Sequence, residues 1–154
     1  MLKKILLGLM AIILIAQFIQ PSKNKGNRNG TNDIRQAVTV PDSIMALLST
    51  ACYDCHSNKT NYPWYSHITP VNWWLKDHVD EGKKHLNFTE FKTYSLKKQD
   101  HKLEEIVETV ENHSMPLDSY LWIHDEAALS EQQRKMLVDW ANASRQTIQK
   151  NGPF

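Results

Sequence analysis

The five residues Cys52-Tyr53-Asp54-Cys55-His56 constrain this chain more than any other stretch of it. Residues three apart share one face of a helix, and the side chain after the second thiol can turn beneath that face. Both cysteines of the chain stand here, so none is left for a structural disulfide elsewhere. The spacing is that of a c-type haem attachment site, in which two thiols add to the haem vinyl groups and the following histidine offers an axial nitrogen to iron. Three other readings compete. A thioredoxin-like dithiol belongs beside a strand-helix-strand pattern, and no convincing strand is legible. Half a zinc site would need a compact H-x3-5-H pair, which the other six histidines do not offer. The third is a simple disulfide.

The two ends of the chain frame one domain. Residues 1–20 set Lys3 and Lys4 before an apolar run from Ile5 to Ile19, interrupted by Gln17, and read as a signal peptide or membrane anchor. No small-x-small cleavage site follows, which favours a retained anchor, although such a run is short against the roughly 17 to 25 residues of a spanning helix. No cysteine follows the run closely, so lipid attachment there is excluded. The rest of the chain is expected on the periplasmic side. Residues 21–38 read as a flexible linker, because Ser22 to Asp33 has no large apolar side chain to offset the entropy of ordering. Twelve such residues reach on the order of 20 Å as a coil. Residues 39–150 then form the domain. Net charge is +1, and without Lys3 and Lys4 the balance is 16 basic against 17 acidic residues, or −1. That is no footprint for nucleic acid.

Within the domain the periodicity is helical. Ile44, Leu47, Leu48, Ala51 and Cys55 make one apolar face that carries Pro41 near its start and runs into the motif. Met45, just off that face, reads as packing rather than as a ligand. Thr69-Pro70 predicts a cap and first-turn proline for a helix through Val71, Trp74, Leu75, His78 and Val79, where His78 reads as a core histidine. His85 to Tyr94 is a packed loop. Ser95 opens a helix to about Asn112, with Leu103, Ile106 and Val110 inward and its glutamates and His101 on a solvated face. Ser130 to Gln133 is a capping box for a closing helix that Asn151-Gly152-Pro153-Phe154 ends. The expected fold is all-α: a small cytochrome-c-like domain wrapped around one haem, preceded by a hydrophobic helix.

Met115-Pro116, in a loop well downstream of the motif, has the character of a distal axial ligand, a soft thioether aimed by a proline-stiffened turn. His113 and His124 are the rival sixth ligands. Tyr62, Pro63, Trp64 and Tyr65 are expected along the haem edge, with Trp74, Pro116 and Tyr120 as further pocket residues.

Taken together, Cys52-Tyr53-Asp54-Cys55-His56-Ser57-Asn58, Tyr62-Pro63-Trp64-Tyr65-Ser66, Pro70-Val71-Asn72-Trp73-Trp74, Glu81-Gly82 with Leu86-Asn87-Phe88, Met115-Pro116-Leu117 with Ser119-Tyr120, and Leu129-Ser130 through Trp140 resemble the bacterial haem-binding domain family, single-haem exported proteins similar to c-type cytochromes. The resemblance spans about residues 40–143. It implies one covalently held haem, with Cys52 and Cys55 as thioether links, His56 as proximal ligand and Met115 as distal ligand. The expected function is electron transfer to a redox partner protein from a membrane-tethered position, with no substrate chemistry. The alternative is a haem-based sensor or peroxidase-like enzyme in which the distal site is open and His113 or His124 acts as acid and base. An accessory subunit with a structural haem is a third possibility.

Overall fold

A computed structural model describes residues 1–152. Among them the fold is all-helical, with seven α-helices and no strand beyond one antiparallel bridge between Lys25 and Lys59. The helices are α1 (Leu2–Ala16), α2 (Asp42–Ala51), α3 (Tyr53–His56), α4 (Val71–His85), α5 (Leu96–Glu111), α6 (Asp118–Leu121) and α7 (Glu131–Lys150). Short 3₁₀ turns at Ile34–Gln36, Trp64–His67, Phe88–Thr93 and Asp125–Ala127 join them.

The two long helices α5 and α7 form the main packed pair. Leu103, Ile106 and Val110 of the first share one core with Leu137, Trp140, Ala141 and Ile148 of the second. Sequence signals set their ends: the Ser95 hydroxyl accepts from the Lys98 N–H at 3.3 Å, and Ser130 with Gln133 closes the expected capping box. Arg145 of α7 ties the pair together outside, reaching Asp100 at 3.1 Å and Glu104 at 2.6 Å. Helix α7 stops at Lys150, and Pro153 and Phe154 of its expected terminator lie outside the described residues. Against this pair lie Ile44 and Leu48 of α2, and Phe88 and Phe91 of the 3₁₀ turn after α4, the packed loop that the sequence suggested.

Three expectations need correction. The segment 21–38 is laid on the domain from Lys23 onward rather than hanging as a linker. The Asn24 amide bonds the Ser57 carbonyl at 2.8 Å and the Thr60 hydroxyl at 3.0 Å, Gly26 N–H donates to Asn58 O at 2.7 Å, and Arg28 pairs with Asp54. A Cβ on Gly26 would stand 2.5 Å from that same Asn58 carbonyl, so only glycine allows the approach. Asp33 is fully buried, and Ile34 and Val38 enter the core. A segment without apolar area is still ordered where a neighbouring loop presents backbone carbonyls that its N–H groups and amides can pair with.

Secondly, the helix expected to run from Pro41 through the motif breaks at Cys52, whose backbone (φ −129°, ψ −41°) separates α2 from α3. Thirdly, Thr69 caps nothing: Pro70 occupies the cap position of α4, and the Thr69 hydroxyl is buried without a partner.

Helix α1 buries none of its residues. Its end is nonetheless fastened to the foot of α4. Gln17 exchanges two hydrogen bonds with the Thr69 backbone at 2.9 and 3.1 Å, Trp73 Nε1 donates to Ile19 O at 2.9 Å, and the Asn72 amide donates to Gln20 at 2.9 Å. No helix among the described residues is long and apolar enough to cross a membrane.

Candidate functional site

The break at Cys52 sorts the motif into two faces. Tyr53 turns inward, 1% exposed, stacked on Phe88 at 5.1 Å with its hydroxyl 3.3 Å from Asp33. Cys52, Cys55 and His56 turn the other way and line one cavity. Asp54 is held between elements: Arg28 pairs with it, Asn61 N–H donates to it at 3.1 Å, and the Tyr120 hydroxyl donates to it at 3.0 Å. Burial and the Asp54 carboxylate push the Tyr120 phenol well above its ordinary range. The motif is thus anchored from both sides by residues far away in the chain.

Helix α4 closes against this motif at Gly82, where an added Cβ would meet the Cys55 carbonyl at 2.8 Å and the Cys55 Cβ at 3.0 Å. The close approach brings the end of α4 over His56, whose Nδ1 stands 3.0 Å from the Leu86 carbonyl. A carbonyl only accepts, so Nδ1 carries the proton and Nε2 keeps a free lone pair. Burial pulls the imidazole pKa below its ordinary value, against the raising effect of the Leu86 and Gly82 carbonyls. His56 is therefore a neutral imidazole with one nitrogen fixed and the other open, the state a metal ligand needs. Burial likewise pushes the Cys52 thiol up to about 12 and, with Asp54, the Cys55 thiol up to about 11. Thioredoxin-like dithiols depend on a lowered thiol pKa, so this pair is poorly built for that chemistry. In the structure both thiols are free.

The cavity has a volume of about 570 Å³ and an apolar wall that includes Leu48, Phe88, Ile106, Val110, Leu117 and Leu137. Such a size and lining suit a single bound organic cofactor. Met115, Pro116 and Tyr120 stand in the same wall. The Met115 loop is held from two directions. Its N–H donates to the Thr109 carbonyl at 3.0 Å, and Arg134 of α7 donates through one Nη1 to the carbonyls of Val110 at 3.0 Å and Met115 at 3.1 Å. His113 supplies the turn by adopting a left-handed backbone, φ 63°, just past the end of α5.

The expected site residues divide accordingly. Cys52, Cys55, His56, Met115, Pro116 and Tyr120 come together, whereas Tyr62, Pro63, Trp64, Tyr65 and Trp74 lie outside the cavity lining. Trp64 is 76% exposed, Tyr62 accepts from the Asn24 N–H at 2.6 Å, and Tyr65 bonds His124 at 2.7 Å. Neither rival histidine reaches the cavity. His113 points toward Glu131 on the surface, and His124 spends both ring nitrogens, Nδ1 on Glu126 at 3.1 Å and Nε2 on the Tyr65 hydroxyl.

Two groups were missed from sequence. Arg134 carries no local signal in the sequence that it reaches across to a loop. His78, expected as a core histidine, is half-buried and lines the cavity mouth, together with Asp77, Glu81 and His85 on α4 and Glu105 and Glu108 on α5. Those two glutamates were expected on a solvated face. The stripe His78, Gly82, His85 at helical spacing was the available signal, since the glycine marked where α4 approaches the motif.

Two half-buried thiols, an imidazole with one open nitrogen and a thioether around one apolar cavity are a donor set that could hold a haem. A family model described as a haem-binding domain matches residues 11–143 of the chain. Neither a curated protein nor a solved structure matches it.

Proposed function

The chain belongs to the haem-binding domain family and binds haem, and from that premise we propose that it carries one c-type haem as a membrane-tethered electron carrier on the periplasmic side. The observation that carries this reading is the convergence of Cys52, Cys55, His56 and Met115 on one cavity. Cys52 and Cys55 would hold the group through thioether bonds, so that it is retained in an open extracytoplasmic space. His56 Nε2 would serve as the proximal ligand and the Met115 thioether as the distal one. A bound haem supplies a one-electron iron couple, and a thioether ligand sets its potential above that of a pair of imidazoles. The apolar wall excludes water, and Arg134 keeps Met115 in position. Electrons would pass to a redox partner protein through a weak contact of small area.

Retention of α1 as the tether is supported by its exposed apolar side chains and by the hydrogen bonds of Gln17, Ile19 and Gln20 to the domain, partners that cleavage would strip away. Fifteen helical residues reach about 22 Å, less than the roughly 30 Å hydrocarbon core. Lys3 and Lys4 would extend toward the headgroups to make up the difference. The sensor or peroxidase alternative loses its named acid and base, since His113 and His124 stand away from the cavity.

The test is the absorption spectrum of the protein, produced with a haem-attachment system, reduced and compared before and after carbon monoxide. A c-type spectrum that carbon monoxide leaves unchanged is expected. In Met115→Ala, carbon monoxide should bind readily and the potential should fall. Rapid carbon monoxide binding by the unmodified protein would move sensing or catalysis to first place, and zinc in place of haem bands would sink the reading.

A further inference from the structure

The cavity mouth carries an uneven charge balance. Five carboxylates line the cavity, Asp54 from α3, Asp77 and Glu81 from α4, and Glu105 and Glu108 from α5, while no lysine or arginine does. A haem brings two more carboxylates, its propionates, and each seeks a cationic or hydrogen-bonding partner when drawn out of bulk water. The side chains there that can carry positive charge are His56, His78 and His85. His56 is the proximal residue, with Nδ1 committed to Leu86. His85 Nε2 stands 3.7 Å from Glu81, which also takes Lys84 at 3.2 Å. His78 has no carboxylate within ion-pair distance among the described residues. Its Nδ1 lies 2.9 Å from the Trp74 carbonyl, which fixes the proton on that nitrogen and leaves Nε2 open. The ring also rests against Trp74 at 4.3 Å between centroids, which fixes its orientation.

We propose that His78 is the partner of a haem propionate at the cavity mouth and that its protonation is coupled to the redox state of the iron. The proposal rests on the haem reading above. When one electron arrives from a redox partner protein, His78 Nε2 takes one proton from water, because the added negative charge favours the imidazolium. When the electron leaves, His78 returns the proton. Asp77 and Glu81 on the same helix, and Glu105 and Glu108 of α5, line the same cavity; Glu81 is paired with Lys84 at 3.2 Å and Glu105 with Lys102 at 2.6 Å, and the Tyr120 phenol stays neutral. Asp54 is neutralised by Arg28, and His67, in the 3₁₀ turn packed against α4, is engaged with Lys23 at 3.0 Å.

The experiment is an optical redox titration of the full haem-loaded chain at several pH values, for the unmodified protein, His78→Gln and His78→Lys. The unmodified protein should lose potential as pH rises between about 5 and 8, where imidazoles change charge. The limiting slope is that of one proton per electron, about 59 mV for each tenfold change in proton concentration. His78→Gln should be flat across that window, and His78→Lys flat and higher than His78→Gln at each pH. A flat profile for the unmodified protein overturns the proposal without any variant. An unchanged slope in His78→Gln overturns it as well, and so does loss of the six-coordinate spectrum in that variant, which would make His78 an axial ligand. A chain that takes up no haem overturns both this proposal and the reading it rests on.

Discussion

The cavity wall and the segment from Tyr62 to Trp74 are both rich in large side chains, and the structure uses them in opposite ways. The wall is built from α2, α3, α4, α5, α6 and α7, and its side chains face one shared space. In the aromatic segment Trp64, Trp73 and Trp74 are 76%, 40% and 46% exposed, and Tyr62 and Tyr65 spend their hydroxyls on Asn24 and His124. Aromatic density alone therefore does not mark a pocket. What marks it here is where helices from distant parts of the chain leave room for one another: Gly82 lets α4 touch the motif, and Arg134 of α7 holds the Met115 loop.

Substitutions on the two sides test this contrast. Cys52→Ala combined with Cys55→Ala should abolish covalent haem, read by haem staining after denaturing electrophoresis, and each single change should leave one link. Arg134→Met removes two charged hydrogen bonds to the Val110 and Met115 carbonyls and should cost about 3 kcal/mol in denaturant unfolding, with weakened Met115 ligation in the spectrum. Retention of full stability would mean that Arg134 is not the clamp. Gly82→Ala gains about 1 kcal/mol of helix propensity but forces a methyl to within 2.8 Å of the Cys55 carbonyl. A net loss of about 2 kcal/mol is expected, and a gain would show that α4 can slide away from the motif at little cost. Trp64→Ser, on the exposed side of the comparison, should change stability by no more than about 0.5 kcal/mol and leave the haem spectrum untouched.

The long helices were legible because an apolar stripe and a cap are local signals, and α5 and α7 begin one residue after the serines that cap them. The docking of 23–38 was not legible. Its partners, Ser57, Asn58, Thr60 and Asp54, lie 26 or more residues away, and nothing within a polar run states which carbonyls it will meet. The same holds for His78, whose apolar flanks suggested burial in a core and whose actual neighbour is the cavity.

Residue identity and short spacing fix the available chemistry: two thiols, an imidazole one residue on, and a thioether before a proline. Local signals likewise fix the long helices α5 and α7, whose hydrogen bonds close within four residues. Which imidazoles stay free for a cofactor is set by tertiary packing, because it depends on which backbone carbonyl or carboxylate each ring nitrogen meets. His124 meets two partners and is spent. His56 and His78 each turn Nδ1 to a backbone carbonyl, and both line the cavity.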